Sequence, residues 1–417
     1  MKRPLSIQDA ALRVVKRLRQ HEHQAFWAGG SVRDMLLGRE PTDIDVATDA
    51  LPDTIIKLFT RTRKVGAKFG VVMVRQGPHW IETATFRTDL DYRDGRHPGK
   101  VVFTTAEEDA QRRDFTINGL FYDPISKEVI DYVGGRRDLE AGIIRAIGDP
   151  ARRFAEDHLR MLRAVRFSAR FGFPIEPGTA AAIREQAEHI GRISPERIRE
   201  ELEKMLSHPS RAEAVRQIAE LGLLDHLWPN GRWPRDRVAD SIRVLSKLPE
   251  QAGFVLSMAA LLNAYPPASV RQIARDLRCS NHQSGRITWL IEHVDDIHHA
   301  EVLCLPAMKM LIAHEGFEEL LELHQAICLA RGLPLDGNEI ARRRKASIPP
   351  EEVAPPPFVT GDDLIAAGLE PGPRFREILD RLYDEQLDDR LMSRDQAMAR
   401  MRELLRGTAG EHGHSHQ

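Results

Sequence analysis

Gly29-Gly30-Ser31-Val32-Arg33-Asp34, followed nine residues on by Asp43-Ile44-Asp45, is the stretch that decides the reading of this chain. Gln24 to Ala28 is a short apolar approach to the paired glycines, and Ser31 to Leu37 has helical spacing that stops at Gly38. Paired glycines let backbone N–H groups approach an anion closely, and the start of the following helix favours negative charge. Arg33 can add a charge-assisted contact. Alone, such a turn is more often only a turn. The aspartates change the balance. Ile44 to Ala47 reads as a strand, so Asp43 and Asp45 share one face while Ile44 points to the core. Two carboxylates side by side suit a pair of Mg²⁺ ions that clamp triphosphate oxygens and activate a hydroxyl.

Outward from this stretch, the first ~150 residues are mixed. Ser6 is a candidate N-cap for a helix over Ile7 to Arg19. Val71 to Arg75, Trp80 to Phe86 and Val101 to Thr104 read as strands, separated by turn signals such as Gln76-Gly77-Pro78 and Asp94-Gly95. Glu82 is the best-placed third carboxylate, though it reads equally as a solvent-facing residue of an edge strand. Beyond Asp149-Pro150 the strand signals vanish and helical patterns run on. Arg342-Arg343-Arg344-Lys345, Pro349-Pro350 and Pro355-Pro356-Pro357 read as a linker or extended strap. Thr360 with Asp363 and Ser393 with Gln396 are candidate capping boxes of two closing helices. The tail carries His412, His414 and His416, which read as a polar tail before they read as a weak metal site.

The chain has 417 residues, 60 Lys+Arg against 62 Asp+Glu and a formal net charge of −2, so the total alone points to no nucleic-acid tail. At 42% hydrophobic, it can build sizeable cores. Its longest apolar run, Phe254 to Leu262, is too short to span a bilayer. Cys279, Cys304 and Cys328 are far apart and form no CxxC. Neither a disulfide framework nor a structural zinc site is expected, and a cytoplasmic protein is.

One segment stands out by charge. Between Arg136 and Arg170 there are nine Arg and five acids. On a helix, Arg160, Arg163, Arg166 and Arg170 fall within about 120° of arc, opposite Met161, Leu162 and Val165. Arg is the preferred residue for forked recognition of phosphates and base edges. Asp157 and Arg160, three residues apart, offer an acceptor beside donors. Cytosine and adenine each present an amino donor next to a ring-nitrogen acceptor and fit that pair. Uracil and guanine present a carbonyl and an N–H there, and mismatch on both counts. An intrahelical Asp157–Arg160 salt bridge is the competing reading.

The motifs together resemble the class II tRNA nucleotidyltransferases, the family of the CCA-adding enzymes and bacterial poly(A) polymerases within the polymerase-beta-like superfamily. The resemblance rests on Gly29 to Asp34 with Asp43-Ile44-Asp45, on Arg112-Arg113-Asp114-Phe115-Thr116-Ile117-Asn118-Gly119, on Gly134-Gly135-Arg136-Arg137-Asp138-Leu139 through Ile144 to Pro150, and on Glu156-Asp157-His158-Leu159-Arg160 through Phe167. Gly119 departs from the usual Ala. The Thr360-Gly361-Asp362-Asp363-Leu364 and Gly372-Pro373 elements also resemble the family's tail, less specifically.

The resemblance implies an α+β protein. It would have a head (1–149) built on a small mixed sheet, a helical nucleotide-reading neck (150–210), a helical body (211–345) and a Pro-rich linker with helical tail (346–417). It implies template-independent addition of C and A to tRNA 3′ ends from CTP and ATP, with Mg²⁺. Asp43 and Asp45 would hold the metal, with Glu82 as third carboxylate. Gly29, Gly30 and Arg33 would cradle the triphosphate. Arg113, rather than Arg112, would contact the nucleotide. Asp157 and Arg160 would read the base, with Arg163 and Arg166 completing the pocket. The helical half, Arg342 to Lys345 included, would grip the acceptor and T arms of tRNA by charge and shape. Asp89 to Pro98 resembles the mobile loop of enzymes that switch from C to A, which disfavours CC-only addition. Addition of A alone, poly(A) synthesis and a non-catalytic RNA-binding role are the other readings. No His…His-Asp…Asp pattern is present, since His298-His299 lacks an adjoining Asp, so no phosphohydrolase activity is expected.

Overall fold

The computed structural model describes residues 5–65, 70–92, 98–227 and 235–407. The chain divides into two compact units, residues 1–238 with 276–278, and 239–275 with 279–417.

The first unit opens with α1 (Ile7–Arg19), capped by Ser6, whose hydroxyl accepts from the Asp9 N–H at 3.0 Å. Its apolar stripe, Ala10, Ala11, Val14, Val15 and Leu18, is fully buried. Then follow β1 (Ala25–Ala28), α2 (Gly30–Leu36), β2 (Asp45–Thr48), α3 (Pro52–Leu58), β3 (Thr62–Arg63), β4 (Val71–Gln76), β5 (His79–Thr85), β6 (Arg87–Tyr92), β7 (Pro98–Phe103), α4 (Ala106–Gln111), β8 (Leu120–Asp123), β9 (Glu128–Asp131) and α5 (Gly135–Ala141). Seven strands form one sheet in the order β3-β4-β5-β2-β1-β8-β9. Only β2 and β5 pair in parallel, with Val46 opposite Thr83; the other pairs are antiparallel, so the sheet is mixed. β6 and β7 form a separate hairpin ribbon. The segment expected to be the mobile loop supplies parts of both strands, and its residues 93–97 lie outside the described ones.

Phe26, Phe86 and Phe121 pack centroid to centroid at 5.9–6.3 Å under β1 and β2. Burying each such ring contributes about 2–3 kcal/mol, enough for this cluster to hold the middle of the sheet. β8 and β9 were not foreseen, because Leu120 to Asp123 and Glu128 to Asp131 are four residues each. Runs that short carry little periodicity of their own.

The same unit continues as helices α6 (Pro150–Glu156), α7 (Leu159–Phe171), α8 (Pro177–Gln186), α9 (Pro195–Leu206) and α10 (Arg211–Glu220), with α7 packed on α9 and α10. The second unit is helical throughout its described residues. The expected linker at Arg342 to Lys345 is instead the end of a helix, Asp336–Ser347. Arg and Lys are good helix formers, and the chain breaks only where Ile348 turns extended before Pro349. Arg342, Arg343 and Lys345 are exposed on this helix. Arg342 and Lys345 pair with Glu318 at 3.4 and 2.5 Å, and Arg344 donates to the carbonyls of Ala300 and Leu303. The capping box of Thr360 with Asp363 is present, on the helix Gly361–Ala366. Residues 412–416 of the tail lie outside the described ones.

Candidate active site

The site forms where β1, β2 and β5 end and α7 crosses. β1 runs into Gly29, whose φ of +70° lies in the left-handed region. A side chain there would also sit 2.9 Å from Arg113 Nη1. The left-handed backbone favours glycine here, and any side chain would also displace the Arg113 guanidinium. At the entry to β2, Ile44 is buried while Asp43 and Asp45, the first residue of the strand, flank it on the open side. The parallel register carries Glu82 of β5 beside Asp45, one step before the Val46–Thr83 pair.

All three carboxylates line one cavity of about 640 Å³, together with Gly29, Gly30, Arg33, Arg113, Asp157, Arg160, Arg163 and Arg166. The residues expected to carry catalysis and nucleotide binding therefore border the same space. Burial, then Glu82 and Asp43, push the Asp45 carboxyl up to about 7. Burial and Asp43 also raise Glu82, against the pull of Arg87. Three carboxylates gathered in this way form an oxygen donor set suited to a hard divalent cation, which would relieve the repulsion on Asp45 and Glu82. Mg²⁺ fits these residues.

The opposite wall is arginine, and most of it is already paired. Arg33 is 4% exposed. It donates to Asp34 and to Asn118 Oδ1, and its guanidinium lies 4.6 Å from the Phe171 ring. Arg33 lines the cavity, and here its fork ties α2 to the 116–118 turn. Arg112 and Arg113 both grip Asp109, at 2.7 and 3.0 Å. Burial would raise that carboxyl, but the two guanidiniums win and it falls below its ordinary value. Arg113 also donates to the Asn118 carbonyl and covers Phe121 at 5.1 Å.

Asp157 and Arg160 do not form the intrahelical salt bridge that the sequence allowed. Asp157 does not sit on a shared helix. It is the extended residue that breaks α6 from α7, with φ −152° and ψ 102°. One oxygen accepts from the Leu159 N–H at 3.1 Å, and Arg197 of α9 grips both oxygens at 2.7 and 3.1 Å. Arg160 pairs instead with Glu156 at 2.6 Å and donates to the carbonyls of Arg153 and Arg112. The acceptor and the donor that face the cavity are therefore each held by their own partners.

Behind them, Arg163 binds the buried Asp114 at 2.7 Å. Asp114 also accepts from the Phe115 N–H and from Asn118 Nδ2. Its burial would raise its pKa, yet Arg163 and Asn118 hold it well below the usual carboxylate range. Arg166 binds buried Glu201 at 2.6 Å.

Residues 25–145 match the family described as the poly A polymerase head domain, and residues 172–232 the one described as the probable RNA and SrmB- binding site of polymerase A. A CCA-adding enzyme of Geobacillus stearothermophilus is 36% identical over 381 residues, covering 89% of this chain and 91% of its own. The chain belongs to the CCA-adding enzyme family. It is a nucleotidyltransferase with the polymerase-type head and helical remainder of that family. The crystal structure of the Bacillus stearothermophilus CCA-adding enzyme in complex with CTP superposes with a TM-score of 0.78 at 31% identity, over 98% of this chain and 100% of that one. Poly(A) polymerase I of Escherichia coli is 40% identical over 262 residues, 57% of this chain and 55% of its own.

For a CCA-adding enzyme family member, motif reading gave Asp109, Asp114, Asn118, Glu156, Arg197 and Glu201 no role. Asp114 and Asn118 stood inside a recognised motif. Arg197 and Glu201 gave a faint signal: their i, i+4 spacing puts them on one face of α9, turned to the arginines of α7.

Proposed function

We propose that the protein adds C and A, without a template, to the 3′ end of tRNA from CTP and ATP. The observation that carries this reading is the single cavity that sets the Asp43/Asp45/Glu82 cluster across from Asp157 and Arg160. In the proposed reaction the tRNA 3′-hydroxyl oxygen attacks the α-phosphorus in line. A new O–P bond forms, and the bond to the departing pyrophosphate breaks. Asp43 and Asp45, with Glu82 beside them, would hold Mg²⁺, two ions on the sequence reading, which supplies charge neutralisation and an acidified hydroxyl when bound. Gly29 and Gly30 leave room for the phosphates, and Arg113 supplies positive charge over them. Catalysis rests on positioning and fixed charge.

Asp157 accepts from the amino group shared by cytosine and adenine, and Arg160 donates to the adjacent ring nitrogen. Both are held in place by neighbours, so the specificity is preorganised rather than assembled by the nucleotide. Arg163 and Arg166 complete the wall. The helical half grips the acceptor and T arms. The head, neck, body and tail divisions at 149, 210 and 345 are our functional partition of the chain. We place its work in the cytoplasm, with tRNA. Among the described residues no helix is long and apolar enough to cross a membrane.

The relation to poly(A) polymerase I keeps poly(A) synthesis as the second reading. The deciding experiment offers labelled CTP, ATP, UTP and GTP, singly and together, to tRNA lacking its CCA end and to a generic RNA. The expected ladder on tRNA is C, C, A and then a stop. Long A tracts on generic RNA would overturn the reading. Addition of A alone, or of C alone, would narrow it to a partial enzyme.

A further inference from the structure

Away from this cavity, three helices of the second unit bring their ends together. His298 closes the helix Asn281–His298. His324 and Cys328 sit one turn apart on the helix Phe317–Arg331. Asn338 begins the helix Asp336–Ser347. One ligand atom from each of His298, His324 and Cys328 lies within 4.8 Å of the others. Cys328 Sγ is 3.5 Å from His324 Nε2 and 3.8 Å from Nδ1, so it lies beside the ring, and a turn of the ring would aim one nitrogen at a shared ion. Around a tetrahedral zinc-type ion, with metal–nitrogen bonds near 2.1 Å and metal–sulfur bonds near 2.3 Å, neighbouring ligands stand about 3.5 Å apart.

We propose that His298, His324 and Cys328 form a binding site for a transition-metal cation of the zinc class, with a fourth position open to solvent or to a further ligand.

Two nitrogens and a sulfur are the donor set of a borderline-soft cation, and discriminate against Mg²⁺ and Ca²⁺, which take oxygen. His324 and Cys328 are 3% and 1% exposed, so the fold confines them side by side, while exposed His298 can turn its ring to close the site. A second observation points the same way. Asn338 is 5% exposed and donates its amide N–H to the Leu321 carbonyl, yet its Oδ1 is buried without a well-formed hydrogen bond. That oxygen faces the His324 ring as a hydrogen-bond acceptor of imperfect geometry. Metal-bound histidines commonly donate their second ring N–H to such a carbonyl, which fixes the ring and makes it a better ligand. Gly337 makes this approach achievable: a Cβ there would stand 2.2 Å from the Ile297 carbonyl oxygen, so only glycine lets Asn338 come so near the end of the first helix. Binding would release one proton to solvent as the Cys328 thiolate forms.

The test uses the full chain, stripped with chelator and titrated with Co²⁺ as a spectroscopic stand-in. Co²⁺ that reaches the carboxylate cluster or the tail histidines has no thiolate and stays silent in the sulfur-to-metal charge-transfer band. The expected result is that band, saturating at one equivalent and bleached by Zn²⁺. Cys328→Ser should abolish it, and Cys279→Ser and Cys304→Ser should leave it intact. His298→Gln, a surface change that leaves the buried core untouched, should weaken Co²⁺ binding tenfold or more. No charge-transfer band in the folded parent, a band that survives Cys328→Ser, or unchanged affinity in His298→Gln would each overturn the site. The measurement involves neither tRNA nor nucleotide, so it stands apart from the proposed reaction.

Discussion

At the residue scale, Asp157 shows how a recognition group is held still. A lone carboxylate on a surface would rotate among conformers. Here Arg197 grips both oxygens and the Leu159 N–H adds a third bond. The two residues should therefore fail differently. Asp157→Ala removes the acceptor, and steady-state incorporation into tRNA lacking CCA should show the CTP-to-UTP ratio of kcat/KM falling by about 10²-fold or more. Arg197→Ala keeps the acceptor but frees it, and the same ratio should fall by about tenfold, equal to about 1.4 kcal/mol. An unchanged ratio in Arg197→Ala would make that residue a purely structural tie. Asp157 was legible in sequence because a family motif contained it. Its orientation was not, because helical geometry was extended through a residue whose ψ of 102° ends the helix.

At the element scale, Glu201 fastens α9 to α7. It is 2% exposed and sits among Arg166, Arg163 and Lys204. Burial alone would raise its carboxyl, but Arg166 and then Arg163 pull it below the ordinary glutamate value of 4.5. Folding thus lowers this pKa. The stabilisation is complete above about 4.5 and disappears as pH falls through the folded value beneath it. Glu201→Gln should lose about 3 kcal/mol at pH 7, because Arg166 is left buried without its partner, and should converge with the parent in acid. Protection of α7 and α9 amides from hydrogen exchange across pH would report it; a loss independent of pH would contradict it.

The same pairing explains what the sequence could and could not tell about these elements. The 3.6-residue period located α1 and most of α7, and β-branched runs located β4 and β5. Period alone cannot say whether an arginine face looks into water or into another helix. The face of α7 is largely turned inward, with Arg160 8% exposed. Arg163 and Arg166 pair with Asp114 and Glu201, 49 and 35 residues away, and such distant pairing leaves no local trace.

At the scale of the whole molecule, the near-neutral total of 60 cations against 62 anions takes on another meaning. The arginine-rich segment from 136 to 170 looked like a cationic track. Arg136, Arg145, Arg153, Arg160, Arg163 and Arg166 are instead each held by acids of the same unit. Much of the charge balances at contact distance. Substituting a cation that touches phosphate lowers the salt slope of RNA binding by about one. Arg145→Ala and Arg153→Ala together should leave the slope of log K against log[KCl] for tRNA unchanged. A drop of about two would show that both pairs open when RNA binds. The family motifs, read together, were enough to anticipate a mixed sheet followed by helices. They did not anticipate this internal neutralisation, because counting charges says nothing of what each one faces.

The parallel pairing of β2 with β5 also sets an order of events during synthesis. Asp43, Asp45 and Glu82 can meet once residue 85 has left the ribosome, because that register needs only the strands before it. Asp114, Asp157 and their partners wait for Arg163, Arg197 and finally Glu201. At about 5–20 residues per second, the 119 residues from Glu82 to Glu201 take roughly 6–24 s to emerge. For that interval a nascent chain carries its assembled carboxylates without the arginine wall that faces them. The half of the cavity that repels nucleotide phosphates is built first, and the half that selects the base is the last to arrive.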